Sequence, residues 1–383
     1  MLSWARMRCW YAERKGVVMA VEQQSSADAM ESFYEEIHGK GLDALWRRHR
    51  EGRPDMSYPP RLWKWSDIER FAMRATELVT PGPGAERRVL TLSNTAASSL
   101  GATHTMTGAV QIVMPGEIAP SHRHTAAAIR FIIKGTGTVT MVDGEPCQMN
   151  PGDLVLTPGW TWHGHINQSD GPMIWMDCLD APIVTVLRAM RQEPYPDELN
   201  PATKPIGDSA ARYGTGFLQP VWEHSTSPIS PLLTFPWEKT GPALKELAKY
   251  DASPFDDVAF RYTNPANGRH VLPTIGCWIQ MLRPGVHTRA HRHTTCAMYH
   301  VFRGSGSTIV DGVRMDWEQG DFMVLPPWSW HEHLNRSASD DAVLFSTTDA
   351  PILEALNLYI EEPYREREGW QEVTAEYVEP SGA

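Results

Sequence analysis

The stretch VQIVMPGEIAPSHRH at residues 110–124 recurs at 279–293 as IQMLRPGVHTRAHRH. GDLVLTPGWTWHGHIN at 152–167 recurs at 320–335 as GDFMVLPPWSWHEHLN, and DAPI at 180–183 recurs at 349–352. The offset is 168–169 residues throughout. That period is too long for a solenoid, so the chain reads as two tandem copies of one domain. Inside each copy, short runs rich in Val, Ile, Thr and aromatics alternate with Gly, Pro and Asp turns, as in FIIKGTGTVTMVDG. This is the pattern of a β-sandwich or barrel. The expected fold is mainly β, with two barrels in series.

The flanking text differs. Residues 27–50 carry Phe33, Ile37, Leu42, Leu45 and Trp46 at helical spacing, with a break at Gly39 and Gly41. Residues 66–79 predict a second helix with Ser66 as its N-cap. The expected organisation is an extension at 1–26, disordered or preceding a true start at Met19, and a helical segment at 27–84. A first barrel at 85–184, a linker with helices at 185–255, and a second barrel with a C-terminal helix at 256–383 follow.

Composition excludes several function classes. The chain has 383 residues and a formal net charge of −11, which argues against nucleic acid or an anionic membrane surface as a partner. Five scattered cysteines without CxxC pairs fit free thiols in a reducing, cytoplasmic setting. No apolar run approaches the roughly 20 residues that span a bilayer.

The repeated histidines carry chemistry. Side chains two apart in a strand share a face, so His122 and His124 aim together and Arg123 points away. If the GDLVLTP strand crosses beside them, His163 completes a set of three imidazoles. Three neutral nitrogens with open positions suit Fe(II), Mn(II), Ni(II), Cu(II) or Zn(II). His291, His293 and His331 repeat the set as a second candidate metal site. His165 and His333 extend the clusters toward proton handling or support of the ligands.

Gly116 through His124 and Gly152 through Asn167, with their repeats, resemble the two motifs of the cupin family, so the chain resembles a bicupin of two double-stranded β-helix (jelly-roll) barrels with N-terminal and linking helices. The carboxylate ligand of many cupins is absent, because TAAAI and TTCAM follow the two HxH pairs. LWKWSDI, AERRVLTLSN, PGEIAPSHRHTAAAIRFIIKGTGTVT and WEQGDFMVLPPWSWHEH resemble gentisate 1,2-dioxygenase and its relatives acting on salicylate and 1-hydroxy-2-naphthoate. That resemblance implies Fe(II) in the first barrel, a small aromatic 2-hydroxycarboxylate and O2 as substrates, and a homotetramer.

The two copies are not equivalent. Arg130 aligns with Tyr299 and Asp177 with Ser346, whereas Gln111 aligns with Gln280 and His165 with His333. Both copies keep the ligands, but only the first keeps an Arg/Asp pair, and an arginine in a pocket can grip a carboxylate bidentately. Of Arg87 and Arg88, only one can face the pocket, and the resemblance favours Arg87 as a second carboxylate contact. It also implies a catalytic role for Asp177, as acceptor for the distal ring hydroxyl. Gln111 and His165 complete the candidate catalytic set. Thr107 stands where some relatives place a pocket aromatic, which implies a wider pocket for a substituted or bicyclic substrate. The tryptophans 160, 162, 328 and 330 are expected in the core. The competing classes are a bicupin isomerase or decarboxylase, separated by O2 dependence, and a non-enzymatic binding bicupin.

Overall fold

The structure, a computed structural model, describes residues 28–47, 58–80, 87–94, 96, 101–223 and 225–380. The extension at 1–26 lies outside them. Two compact units divide at Arg53 and Pro54. The first contains helix α1 over residues 28–39 and a 3-10 turn at Leu45–Arg47, joined through the turn at Gly41, whose φ is 74°. Phe33 stacks on Trp46 at 6.4 Å, and Phe33, Leu42, Leu45 and Trp46 are all exposed.

The second unit opens with β1 (Arg61–Trp63) and α2 (Trp65–Leu78). The first barrel comprises β2 (Arg88–Thr91), β3 (Thr107–Val113), β4 (Ile118–His124), β5 (Ala128–Lys134), β6 (Thr138–Val142), β7 (Glu145–Met149), β8 (Leu154–Thr157), β9 (His163–Asn167) and β10 (Met173–Leu179). Next come α3 (Ala181–Val186), β11 (Gln192–Pro194), α4 (Asp208–Tyr213), β12 (Thr234–Phe235) and α5 (Trp237–Leu247). The second barrel comprises β13 (Val258–Arg261), β14 (Gly276–Leu282), β15 (His291–His293), β16 (Ala297–Arg303), β17 (Ser305–Val310), β18 (Val313–Glu318), β19 (Phe322–Leu325), β20 (His331–Leu334) and β21 (Ala342–Thr348). The expected C-terminal helix is the six-residue α6 (Ala350–Ala355); the tail then runs through β22 (Glu361–Pro363) and β23 (Ala375–Glu376). Among the described residues no helix is long and apolar enough to cross a membrane.

Each barrel faces one sheet with another. The orders are β12-β8-β5-β10-β3-β2 with β11-β4-β9-β6-β7, and β1-β19-β16-β21-β14-β13 with β22-β15-β20-β17-β18-β23. The DG hairpins at 143–144 and 311–312 have positive φ at both central residues, 43° and 79° in the first, 46° and 83° in the second. That is the two-residue turn whose twist matches the strands it joins.

Strand alternation gives each barrel two different faces. From the first barrel, Ile112, Ile129, Phe131, Met176 and Cys178 point outward and meet Cys277, Ile279, Met298, Phe302 and Phe345 of the second in one shared core. Phe131 stacks on Phe345 at 4.1 Å. The inward faces form separate cores, with Val113, Ile132, Val155, Met173 and Trp175 in the first barrel.

Short segments exchange between the halves. β1 extends the second barrel through β19, and β12 extends the first through β8. The aspartate of each Gly-Asp pair caps the visiting helix: Asp321 accepts from the Trp65 N–H at 2.8 Å and Asp153 from the Trp237 N–H at 2.8 Å. This revises the N-cap at Ser66, which sits inside the first turn because the cap arrives from another element. Asp180 and Asp349 hold matched turns, accepting from the backbone N–H of Ala127 and Cys296 and from the hydroxyls of Thr274 and Thr105, each a residue of the opposite half.

The tryptophans also depart from expectation. Trp160 and Trp162 clamp the Arg123 guanidinium at 4.3 and 4.4 Å, and Trp328 and Trp330 clamp Arg292 at 4.3 Å each. They lie at the barrel surface, because the outward-pointing arginine of each HRH triplet needs an apolar cover there.

Replacing Phe131 by Ala opens a cavity in the shared core. The expected loss is about 3–5 kcal/mol, read by urea unfolding, with both barrels unfolding in one transition.

Candidate active site and its second copy

β4 and β9 are antiparallel neighbours in which His122 stands opposite His163, and His124 shares the inward face two residues along. The ring centroids lie 4.6 Å (His122–His163), 4.8 Å (His124–His163) and 5.3 Å (His122–His124) apart. One nitrogen of each falls within 4.8 Å of the others. The Nδ1–H of His124 donates to the Ala126 carbonyl at 2.7 Å and that of His163 to the Thr161 carbonyl at 3.0 Å. A carbonyl only accepts, so both rings keep an unprotonated Nε2 for the cluster, and that of His163 is buried without a partner. This donor set fits a divalent transition metal.

Burial, then the positive charge of Arg87, pushes His122 down to about 2. Burial depresses His163 and His165 strongly and His124 as well. The imidazoles are therefore neutral, as ligation requires.

His165 is fully buried one turn of the pleat further in. Its Nε2 accepts from Arg87 Nη1 at 3.0 Å, so its proton sits on Nδ1 and donates to Thr140 Oγ1 at 2.9 Å. The Arg87 Nη2 contacts the Pro120 carbonyl at 3.0 Å and His122 Nδ1 at 3.1 Å. Arg88 turns the other way and pairs with Glu117. Thus Arg87 is the arginine that reaches the histidines.

Arg130 on β5 and Asp177 on β10 are Cα partners, both buried, with Nε 3.3 Å from Oδ1. Asp177 lies within β10, and its Oδ2 accepts from Trp175 Nε1 at 3.1 Å. Arg130 also donates to Thr157 Oγ1. Burial works against both charges, pulling the guanidinium down and the carboxyl up, and their pairing offsets it. Gln111 on β3 stands opposite Trp175 and is buried, with Nε2 unpartnered. Thr107 opens the same strand on the same pleat face, opposite Leu179.

Thr140 and Thr157 escaped the sequence reading. A signal for Thr140 existed, because Thr308 recurs one repeat on and contacts His333 Nδ1 at the same 2.9 Å.

The second copy repeats the ligand geometry. His291 stands opposite His331, with centroids 4.3 Å apart, and His293–His331 is 4.9 Å. His293 and His331 donate Nδ1–H to the Thr295 and Ser329 carbonyls, both at 3.0 Å. Tyr299 packs on His333 at 5.3 Å, as Trp175 packs on His165 at 4.9 Å. A third group, His104, Cys296 and Asp349, lies at the junction of the barrels, where Asp349 already holds its turn.

The Cupin domain family model matches residues 109–179 and 278–348. A 5-aminosalicylate 1,2-dioxygenase of Comamonas sp is 39% identical over 91% of this chain and 94% of its own length. Gentisate 1,2 dioxygenase 1 of Aquipseudomonas alcaligenes is 36% identical over 89% of this chain and 98% of its own. Salicylate 1,2-dioxygenase from Pseudoaminobacter salicylatoxidans, solved as its gentisate adduct, superposes with a TM-score of 0.80 at 33% identity over 87% of this chain and 93% of its own. A histidine-lined bicupin with these relatives over nearly its whole length belongs to the gentisate, salicylate and hydroxynaphthoate 1,2-dioxygenase family, and it is a ring-cleaving dioxygenase.

Proposed function

We propose that the chain is an Fe(II)-dependent gentisate 1,2-dioxygenase working in its first barrel and converting gentisate and O2 to maleylpyruvate. The observation that carries this reading is the pairing of a three-histidine cluster with two arginines, Arg87 and Arg130, in the first barrel only. His122, His124 and His163 would hold the iron, which when bound supplies a template for a chelating hydroxyl and carboxylate and a path for electrons between ring and oxygen.

The chain's own residues then bind and orient. Arg87 donates to His122 Nδ1 at 3.1 Å; were His122 to hold iron through its other nitrogen, Nδ1 would carry the proton and the Arg87 guanidinium would donate to the substrate carboxylate instead. Arg130 adds positive charge from the opposite sheet, and Asp177, with Trp175 and Thr157, fixes its fork; Asp177 acts through Arg130 as a positioning residue. His165, with Thr140 fixing its tautomer, keeps an acceptor nitrogen toward the cavity and can hold a proton during ring opening. Gln111 Nε2 is a donor for a ring substituent. The cleaved bond joins the hydroxyl-bearing and carboxyl-bearing carbons, and both atoms of O2 enter the product.

A second reading, cleavage of 5-substituted salicylates, is favoured by the relative named for 5-aminosalicylate. Thr107 in place of an aromatic supports room for such a ring. The exposed Phe217, Leu218, Val221 and Trp222 are consistent with self-association, for which the family resemblance implies a homotetramer.

Iron-loaded protein given gentisate and air is expected to consume one O2 per ring, with maleylpyruvate absorbance rising in step. A panel with salicylate, 5-aminosalicylate and 1-hydroxy-2-naphthoate ranks the substrates, and intact gentisate beside a cleaved relative overturns the assignment. Arg87→Ala is expected to raise KM by about 10- to 100-fold with iron content unchanged. Elemental analysis of fully loaded protein is expected to show two metals per chain, falling to one in His163→Ala.

A further inference from the structure

The second barrel encloses a cavity of about 190 Å3 reaching its histidines, lined among others by Asp256, Gln280, Tyr299, Ser346, Tyr359 and Glu361. At ~30 Å3 per water it holds about six waters or one small ring. Its wall inverts the charges of the first. One repeat on from Arg87 stands Asp256, from Arg130 stands Tyr299, and from Gln192 stands Glu361. The positive φ of Asp257, 54°, breaks the strand alternation there; Asp257 turns to Arg283 while Asp256 lines the cavity. Among the described residues no Lys or Arg lines it. Asp256 Oδ2 accepts from Ser253 Oγ at 2.9 Å, and Glu361 Oε2 accepts from Tyr359 at 2.9 Å. Burial, then the charge of Glu361, raises the Asp256 carboxyl.

We propose that this cavity is a second ligand site with the opposite preference. With a divalent metal on His291, His293 and His331, it takes a small uncharged vicinal dihydroxy compound and excludes carboxylates. This rests on the metal reading of the second histidine set. A carboxylate entering here meets Asp256 and Glu361 where it met two arginines in the first barrel, and like charges repel. A neutral diol brings hydroxyls that both carboxylates can accept from. A diol held by such a metal would release one O–H proton, its oxygen keeping the electron pair, and Asp256 in the cavity wall would be placed to take that proton. Tyr299 and Ser346 supply hydroxyls where the first barrel has charge.

The test uses Co(II) as a visible probe in the full chain carrying His122→Ala and His163→Ala, so that only the second site loads. Catechol is the diol and salicylate the carboxylate, each titrated against the cobalt absorption. Catechol is expected to bind at least about 10-fold more tightly, and Asp256→Asn with Glu361→Gln to shrink that gap about 10-fold. Equal binding of salicylate, no response to catechol, or no bound cobalt overturns the proposal. If the double histidine variant does not fold, the same preference is read as the difference between the unmodified chain and His291→Ala, both cobalt-loaded. Gentisate turnover by the unmodified iron-loaded chain tests the dioxygenase reading separately, so the two can fail independently.

Discussion

The register of β4 against β9 is the constraint on which the site depends. Strand side chains alternate, so a slip of one residue would turn His163 away from His122 and His124. At the far end of the pairing the Asn167 backbone bonds to the turn that opens β4, donating to the Glu117 carbonyl at 3.0 Å and accepting from the Gly116 N–H at 2.8 Å, while its side-chain amide donates to the Val113 and Gly171 carbonyls at 2.8 and 2.9 Å and accepts from Thr138. At the near end, Asp143 of the hairpin accepts from the Trp162 N–H at 2.7 Å. Asn335 and Asp311 do the same work in the second barrel. The residues around the histidines in each motif are therefore register pins, and their recurrence follows from the recurrence of the metal cluster.

Electrostatics then divides the barrels. In the first, four neutral imidazoles, three of them buried and His124 half-buried, share space with two guanidiniums and one carboxylate, so the protein's own groups carry excess positive charge there. Adding a divalent cation increases it. Such a site favours an anion, which is consistent with the proposed carboxylated substrate and with the lack of an acidic residue in TAAAI after His124. The Arg130–Asp177 pair shows how the excess is kept in place: a lone buried guanidinium would be costly, and its cross-strand carboxylate and Thr157 lower that cost without cancelling Arg87.

Much of this was legible in the sequence. Repetition exposed the two domains, and period-two spacing put His122 with His124. The choice of Arg87 over Arg88 agrees with which of them the fold turns toward the histidines. What escaped depends on long-range neighbours. Ser66 had the chemistry of a cap, but Asp321, 256 residues from Trp65 along the chain, caps that helix. The tryptophans were apolar enough for a core, yet the loops before β9 and β20 that carry them lie over the outward-pointing Arg123 and Arg292. The Arg130/Asp177 pair was visible from the comparison of the two copies, but the Trp175 Nε1 contact that orients Asp177 was not.

The same alternation explains how two copies could diverge so far in charge while the fold stayed fixed. On β5, Ile129 and Phe131 enter the core shared between barrels, while Arg130 faces the interior of its own barrel beside Asp177. On β16, Met298 and Phe302 enter the shared core, while Tyr299 faces the second cavity. Substitutions on the outward face disturb both barrels at once, because Phe131 and Phe345 stack across the junction. Substitutions on the inward face meet only the local cavity. Packing thus restrains one set of positions and leaves the other open to whatever ligand each barrel is selected to hold. Loss of charge at Arg130/Tyr299 occurs on strands whose alternate residues are fixed by burial, and charge reversal at Arg87/Asp256 occurs in the segments leading into β2 and β13, so both pairs can differ between the barrels without disturbing the shared core.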